Sequence, residues 1–405
     1  MEKEHSLLKR IGPGFITAAV VLGPGSILAS SRAGAEGGYG LIWLLACSCV
    51  FMATFTGMGA RLGCALKETP LQYVAEQWGR PLAFMVGVSG FLVTAGFQFG
   101  NNIGVAVAMG EITGTATWIW PLVFTGISLF FLITARHVYQ FIERLIIVLV
   151  VIMMVSFIAN LFWTGVRPMR LATGLIPRVL TDMELVIGGA ILGTTFSAVA
   201  AFYQSYLVQA KGWRRESTAI AITDARIGIT VLGCMALVIM VSAAESLYGS
   251  GESFKSVGKL AGQLKGALGS WAVLVFCCGL AAASFSSFIA NALIGGALFS
   301  DGVGLDADLS GWPVKAFTSA VMVVGCLVAV ATFLVGKGDT TSLIIAQAST
   351  LVAAPLCAVL LYVMSSSKRI MGEMRNGWPS LIVGGCGLLV MAYLTFNMFR
   401  KVFGL

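Results

Sequence analysis

Apolar stretches of about 20 residues follow one another along this chain, with only short polar connectors between them. A helix needs about that many apolar residues to cross the hydrocarbon core of a bilayer, where its backbone hydrogen bonds must be satisfied internally. The composition agrees, because 58% of the 405 residues are hydrophobic and only 11% are charged. We therefore predict an all-α integral membrane protein with about 11 transmembrane helices.

The predicted spans leave no room for a soluble domain, so we expect a single transmembrane domain over 1–405. They cover about 12–35, 40–65, 82–109, 117–134, 139–164, 183–210, 225–248, 268–299, 313–335, 341–364 and 378–399. The first stretch has Pro and Gly at its centre and leads straight into further spans. We interpret it as a membrane helix and not as a cleaved signal peptide.

The charges of the connectors indicate an orientation. With a cytoplasmic N-terminus, more Lys and Arg residues fall on the inner side than on the outer side. We expect a bacterial plasma (inner) membrane protein in which the net charge of +8 reflects topology and contact with anionic membrane lipid. No nucleic-acid partner is needed to explain it. The nine cysteines lie almost wholly in apolar runs without a CxxC pair, so we expect neither a metal site built on them nor any cofactor.

A Gly-Pro-Gly sequence interrupts the first span. Pro24 has no N–H to donate, so the carbonyl of Val20 loses its helical partner, and Gly23 and Gly25 loosen the backbone on either side. We predict that the helix breaks here and that the broken backbone lines a cavity, since lipid cannot satisfy it. A simple proline kink in a packed helix is the alternative.

The sixth span has a similar interruption, with glycines and clustered hydroxyls in the segment 188–197. Spans one and six are equivalent positions in a five-plus-five arrangement, and paired broken helices typically form the binding site of a secondary transporter. We therefore predict two inverted repeats, at 12–164 and 183–364, followed by an extra helix at 378–399.

Several motifs resemble the NRAMP (natural resistance-associated macrophage protein) family of divalent-metal transporters. They are Gly12-Pro13-Gly14-Phe15, Ala33-Gly34-Ala35, Gly38-Tyr39-Gly40, Gly59-Ala60-Arg61-Leu62-Gly63, Ile191-Leu192-Gly193, Leu207-Val208-Gln209 and Ser367-Lys368-Arg369-Ile370-Met371-Gly372. The resemblance extends over essentially the whole chain. It implies a leucine-transporter-type fold of two inverted five-helix repeats with helices 1 and 6 broken, and metal ion transport as the family's function.

The metal-binding motifs of that family do not carry over. Its first-helix Asp-Pro-Gly-Asn motif, whose Asp and Asn bind metal, aligns with Gly23 and Ser26 at its ends. Its sixth-helix Met-Pro-His motif aligns with Ser197, Ala198 and Val199. The resemblance therefore implies the family's fold with an altered site, and we identify no metal ligands.

The family's other polar positions are changed as well. Its tenth-helix Gln aligns with Ala353, although Gln347 remains nearby. Third-helix acids associated with a proton path align with Gln98 and Asn101, and a second sixth-helix His aligns with Gln204. Without carboxylate, imidazole or thioether donors, high-affinity binding of a transition metal by the usual site is not expected.

We hypothesise that the site binds a small carboxylate or an amino-acid-like solute, because half-helix N-termini near Ser26 and Ser197 would favour an anion. The predicted substrate-binding residues are Gly23, Pro24, Gly25, Ser26, Thr194, Thr195, Ser197, Gln98 and Gln347, and the predicted polar pathway is Asn101, Asn102 and Gln204. Two alternatives stay open. One is a transporter of a largely hydrated divalent cation, Mg²⁺ or Mn²⁺, and the other is a non-transporting sensor or scaffold.

Coupling and other function classes are less constrained by the sequence. The only histidines, His5 and His137, lie outside the predicted membrane core, so no proton relay is evident. The hydroxyl pair Ser286 and Ser287 in the eighth span does not distinguish sodium coupling from other mechanisms, and facilitated diffusion is open. We expect no enzyme activity, because no Ser–His, HExxH or paired-Asp motif occurs. The solute, the coupling ion and the oligomeric state stay undetermined.

Overall fold

A computed structural model of the chain describes residues 23–134, 136–251 and 254–403. Every regular element in these ranges is helical. In chain order the α-helices of the first half are α1 (Pro24–Gly37), α2 (Ile42–Ala65), α3 (Pro70–Trp78), α4 (Arg80–Thr113), α5 (Ile119–Thr134), α6 (Arg136–Thr164), α7 (Pro168–Thr173), α8 (Asp182–Thr195) and α9 (Ala198–Ala210).

The second half continues in the same way. Its α-helices are α10 (Thr218–Leu247), α11 (Val257–Ala261), α12 (Lys265–Leu268), α13 (Ala272–Val303), α14 (Trp312–Leu334), α15 (Thr340–Ser349), α16 (Ala354–Ser366), α17 (Lys368–Met371) and α18 (Trp378–Phe403). Short 3₁₀ turns lie at Arg215–Ser217, Gly262–Leu264, Gly269–Trp271, Thr350–Val352 and Gly372–Met374.

The helices coincide with the predicted spans. Within the described ranges, eight helical segments are long and apolar enough to cross a membrane, or nine if the bent pair α15 and α16 is one span. The shorter apolar helix α5 covers the fourth predicted span. Helix α1 covers the later part of the first span, whose residues 12–22 lie outside the described residues. The prediction of an all-α membrane fold is confirmed.

The predicted break in the sixth span is confirmed. Helix α8 ends at Thr195 and α9 begins at Ala198, with Phe196 and Ser197 between them. Ser197 is the N-cap of α9, and its Oγ accepts a hydrogen bond from the N–H of Ala200 at 3.4 Å. In the first span, Pro24 is the first residue of α1 and Gly23 is its N-cap. A proline fits this position because an N–H there would have no helical partner.

The tenth predicted span, 341–364, is bent, a feature that the sequence analysis did not predict. Helices α15 and α16 meet at an angle of 43° around Thr350–Val352. The cause is Pro355, which cannot donate to the carbonyl of Leu351 four residues earlier. The hydroxyl of Thr395 on α18 donates to that carbonyl instead, at 2.9 Å.

Helices α4 and α13 form the centre of the bundle and approach closely where glycines face each other. A Cβ atom on Gly302 would lie 2.9 Å from the carbonyl oxygen of Ala83 and 3.0 Å from the Cα of Gly87. Only glycine allows two helices to come this close. Helix α1, the broken helix pair α8–α9 and the bent pair α15–α16 pack around these two helices.

Candidate functional site

A small buried cavity lies where the start of α1, the break between α8 and α9, and α15 meet α4 and α13. It is lined by Gly23, Pro24, Gly25, Ser26, Phe97, Asn101, Thr194, Ser197, Asn291 and Gln347. The volume within which the centre of a water-sized sphere can lie is about 10 Å³. That is close to the minimum needed for one water molecule. In this conformation the cavity therefore has room for a single water molecule or a single ion.

Backbone at the start of α1 forms one wall of the cavity. Gly23 has an extended conformation, with φ −95° and ψ −173°, and its carbonyl accepts the first helical hydrogen bond from Ile27 at 3.3 Å. A Cβ atom at Gly23 would lie 3.0 Å from Ser287 Oγ and 3.6 Å from Asn101 Oδ1. The missing side chain thus leaves space directly beside two polar groups, and Ser287 Oγ is buried without a hydrogen-bond partner.

The end of α8 forms a second wall. The hydroxyl of Thr194 donates its hydrogen to the carbonyl of Ala190 at 2.8 Å, so its oxygen lone pairs stay available as acceptors. The last intrahelical bond of α8 runs from Phe196 N to Leu192 O at 2.7 Å, and the carbonyls after Leu192 have no partner four residues on. This negative end of a helix dipole favours a cation.

Gln347 on α15 enters the site from a third side. A Cβ atom at Gly25 would lie 2.6 Å from its Cδ, and a Cβ atom at Gly100 would overlap its Nε2. The amide is therefore held between two helices that lack side chains at these points. Its Oε1 is buried and has no hydrogen-bond partner. Ala353, by contrast, lies outside the cavity at the start of α16, where its carbonyl accepts a hydrogen bond from Ser89.

A chain of hydrogen-bonded amides leads away from the cavity along α4. Asn101 Nδ2 donates to Gln98 Oε1 at 3.2 Å, and Asn102 Nδ2 donates to the Gln98 carbonyl at 2.8 Å. Thr125 on α5 donates to Asn102 Oδ1 at 3.2 Å. Gln98 itself packs against Gly325 of α14, whose Cβ position would be 2.7 Å from its Cβ. The chain connects the cavity wall at Asn101 to α5.

The structure brings most of the predicted residues together. The predicted residues that line the cavity are Gly23, Pro24, Gly25, Ser26, Thr194, Ser197 and Gln347, together with Asn101 from the predicted pathway. The predicted residues outside its lining are Thr195, Gln98, Asn102 and Gln204. Gln204 is buried beside Gly59 of α2. The roles of all these residues in binding stay predictions.

Two lining residues were missed by the sequence analysis, Phe97 and Asn291. Both follow helical spacing from residues that we had considered. Asn291 lies four residues after Ser287 on α13, and Phe97 lies four residues before Asn101 on α4, so each pair shares one face of its helix. A search at this spacing from the polar residues of the third and eighth spans would have found them.

The polar lining of the cavity is electrically neutral. Its polar side chains are Ser26, Asn101, Thr194, Ser197, Asn291 and Gln347. In the part of the chain that the structure describes, no group of three or more His, Cys, Asp or Glu residues could hold a metal ion. The donors available to a bound cation are therefore hydroxyl, amide and backbone oxygens.

A family model described as "Natural resistance-associated macrophage protein-like" matches residues 14–401. The chain belongs to the Nramp family. A relative in Yersinia pestis, the divalent metal cation transporter MntH, is 25% identical over 400 residues, which cover 96% of this chain and 95% of that protein. Its name describes what the relative transports.

Solved structures agree on the fold. The manganese transporter of Eremococcus coleocola has a TM-score of 0.80 and 17% sequence identity, over 100% of this chain and 90% of that one. Mhp1, a nucleobase-cation-symport-1 family transporter, has a TM-score of 0.57 and 14% identity, over 97% of this chain and 92% of that one. This Nramp chain is an integral membrane transporter with the leucine-transporter-type fold.

The hypothesis of a carboxylate or amino-acid substrate is wrong. The family match and the relative named as a divalent metal cation transporter favour the alternative of a metal cation. The geometry gives two physical reasons. The cavity holds one water-sized particle, whereas even the smallest carboxylate has three heavy atoms. The negative end of the α8 dipole, at Thr194, also lines the cavity, so the helix N-termini alone do not determine which charge the cavity favours.

Proposed function

We propose that this Nramp chain transports a divalent metal cation, Mg²⁺ or Mn²⁺, across the membrane. The observation that carries the proposal is the buried, unpartnered Oε1 of Gln347 beside an ion-sized cavity. A buried carbonyl oxygen without a donor is costly, and a cation in the cavity would satisfy it. The family membership and the name of the Yersinia relative support the same conclusion.

The kinds of donor in the cavity favour hard cations. Carboxylate, carbonyl and water oxygens suit Mg²⁺ and Mn²⁺, whereas thiolate and thioether ligands select softer metals. The lining contains amide oxygens from Asn101, Asn291 and Gln347, and it contains no sulfur. We therefore expect Mg²⁺ and Mn²⁺ to bind in preference to Cd²⁺, which depends more on sulfur donors.

Neutral donors also imply weak binding. The affinity of oxygen-based cation sites increases with the number of charged ligands, and weak sites have dissociation constants of about 10⁻⁴ to 10⁻³ M. This cavity contributes no formal negative charge, so we expect affinities in that weak range. A cation present at high concentration would still occupy such a site.

The size of the cavity limits hydration. The cavity has room for about one water-sized particle, so an ion with a complete hydration shell does not fit in the space that this conformation provides. The ion would therefore exchange most of its water for protein oxygens when the site closes. The expectation of a largely hydrated ion then applies only to a more open conformation.

Transport in proteoliposomes tests the proposal. We expect uptake of Mn²⁺ and Mg²⁺ by vesicles containing the protein, and a Gln347→Ala variant should lose at least tenfold in rate. Gln263→Ala is a matched control, because Gln263 is also a buried glutamine with an unpartnered Oε1 but does not line the cavity. Equal losses in both variants, or no metal uptake by the unmodified protein, would contradict the proposal.

The domain organisation and orientation belong to the same proposal. Two inverted repeats at 12–164 and 183–364, with an extra helix at 378–399, would place the interrupted first and sixth spans at the interface between the repeats, where transporters of this kind bind their substrates. We place the N-terminus in the cytoplasm of a bacterial cell because of the distribution of Lys and Arg. Labelling of single cysteines in the first and last connectors from one side of sealed vesicles would test this orientation.

A further inference from the structure

We infer that the metal ion crosses with its full double charge and without a coupled proton, so that the membrane potential drives its transport. This inference rests on the proposed function and specifies its energetics. Its basis is the juxtaposition of a neutral, ion-sized cavity with a chain of hydrogen-bonded amides on α4.

The charge of a bound ion is not offset in the cavity. The polar side chains around it are hydroxyls and amides, which do not ionise between about pH 5 and 8. The occupied site therefore has two more positive charges than the empty one. If the empty carrier returns with its neutral lining, each transport cycle moves two charges across the membrane.

The amide chain on α4 does not provide a proton acceptor. Its hydrogen bonds, from Asn101 to Gln98 and from Thr125 to Asn102, engage amide oxygens, and an amide does not take up a proton near neutral pH. The groups packed against this part of α4 come from α1, α5, α13, α14 and α15. Among the described residues of these elements, the titratable group that adjoins it is the thiol of Cys326, which is hydrogen-bonded to Thr125.

Helix α13, which contributes Asn291 to the cavity, has a buried carboxylate at Asp301, but other residues bind it. Asp301 lies ten residues beyond Asn291 on α13, which corresponds to about 15 Å along the helix. Its two carboxylate oxygens accept hydrogen bonds from Thr69, Leu71 and Tyr206. Glu245, at the end of α10, is paired with Arg167 and accepts from Tyr39. Neither acid faces the cavity lining.

The consequence is a steep dependence on voltage. For a species with two charges, each tenfold change in an equilibrium constant corresponds to about 30 mV. An inside-negative potential of about 60 mV should therefore support about a hundredfold accumulation of the free metal ion. A carrier that also moved protons in the same cycle would respond to the pH gradient as well.

The experiment uses proteoliposomes of the full chain with Mn²⁺ as the transported ion. Potassium gradients with valinomycin set the membrane potential, and a pH-sensitive dye inside the vesicles reports proton movement. We expect Mn²⁺ uptake to increase with inside-negative potential, without metal-dependent acidification and without stimulation by a pH gradient. Stoichiometric proton movement with Mn²⁺ would overturn the inference while leaving metal transport intact. No Mn²⁺ uptake under either gradient would instead overturn the proposed function, and the inference with it.

A variant adds an independent readout. Asn101→Asp places a titratable carboxylate in the cavity wall, and we expect it to make the rate of Mn²⁺ uptake depend on pH between pH 5 and 8 and to introduce metal-dependent proton movement. Asn397→Asp, on α18 away from the site, is the control and should keep the pH-independent rate. A pH-dependent rate in the unmodified protein would contradict the inference, even if Asn101→Asp failed to fold.

Discussion

Tyr206 on α9 donates a 2.6 Å hydrogen bond from its hydroxyl to Asp301 Oδ2 on α13. Both residues are buried. Thr69 Oγ1 and the N–H of Leu71 donate to the same carboxylate, at 2.8 Å and 3.1 Å. Tyr206 lies nine residues beyond the cavity residue Ser197, or about 14 Å along α9. The bond therefore connects the later part of the broken sixth helix to α13.

Removing this hydroxyl should destabilise the protein. We expect Tyr206→Phe to lower the free energy of unfolding by about 1.5–3 kcal/mol, the usual range for a hydrogen bond to a charged group. Thermal unfolding in detergent measures the change. Tyr203→Phe is the control, because the Tyr203 hydroxyl is buried three residues earlier on the same helix and has no hydrogen-bond partner. Similar losses in both variants would show that the bond to Asp301 contributes little.

A carboxylate at position 23 should strengthen metal binding. The backbone of Gly23, at φ −95°, is accessible to any residue, and the atoms nearest to an added Cβ are side-chain atoms of Ser287 and Asn101, at 3.0 Å or more. Opposite charges attract strongly in a buried site, so we expect Gly23→Asp to tighten Mn²⁺ binding at least tenfold, or about 1.4 kcal/mol. Calorimetric titration measures the affinity.

Gly23→Asn separates charge from size in this experiment, because its side chain has nearly the same shape without the charge. We expect it to bind Mn²⁺ no more than a few times more tightly than the unmodified protein. If Asn strengthened binding as much as Asp, the effect would come from an added oxygen donor, and the absence of charge in the cavity would not limit affinity.

The sequence predicted the break of the sixth helix, and it marked Gly-Pro-Gly, where α1 begins, because local chemistry determines both features. Pro24 removes a backbone donor, and the glycines and hydroxyls around Thr194 weaken the helix without any distant contact. Pro355 gives the same local signal in the tenth span, but only the structure places Thr395 beside the carbonyl that it frees. Pro355 could therefore have been used to predict the bend in the tenth span, as Pro24 was used in the first.

The substrate class could not be derived from the sequence in the same way. It depends on which ends of the broken helices face the cavity and on how much room the neighbouring helices leave. The volume depends on contacts between residues far apart in the chain, such as Gln347 against Gly25. Two of the side chains that line the cavity, Asn291 and Phe97, were not identified from the sequence.

The position of Gln347 leads to a prediction about two glycines. A Cβ atom at Gly25 would come within 2.6 Å of Gln347 Cδ, so Gly25→Ala should displace the amide from the cavity wall. We expect the initial rate of Mn²⁺ uptake to decrease at least tenfold. Gly57→Ala, in the middle of α2, is the control, because nothing lies within 4 Å of the added Cβ and alanine favours a helix. An unchanged rate in Gly25→Ala would mean that transport does not require Gln347 in this position.

The bend between α15 and α16 should depend on the hydrogen bond from α18. Thr395→Val keeps the shape of the side chain but removes the donor to the Leu351 carbonyl, which Pro355 cannot replace. We expect the free energy of unfolding to decrease by about 1–3 kcal/mol, the cost of leaving a buried acceptor unsatisfied. Thr332→Val is the control, since the Thr332 hydroxyl only bonds back to the Val328 carbonyl of its own helix. If Thr395→Val is as stable as the unmodified protein in thermal unfolding, another group or water satisfies Leu351, and α18 does not support the bend beside Gln347.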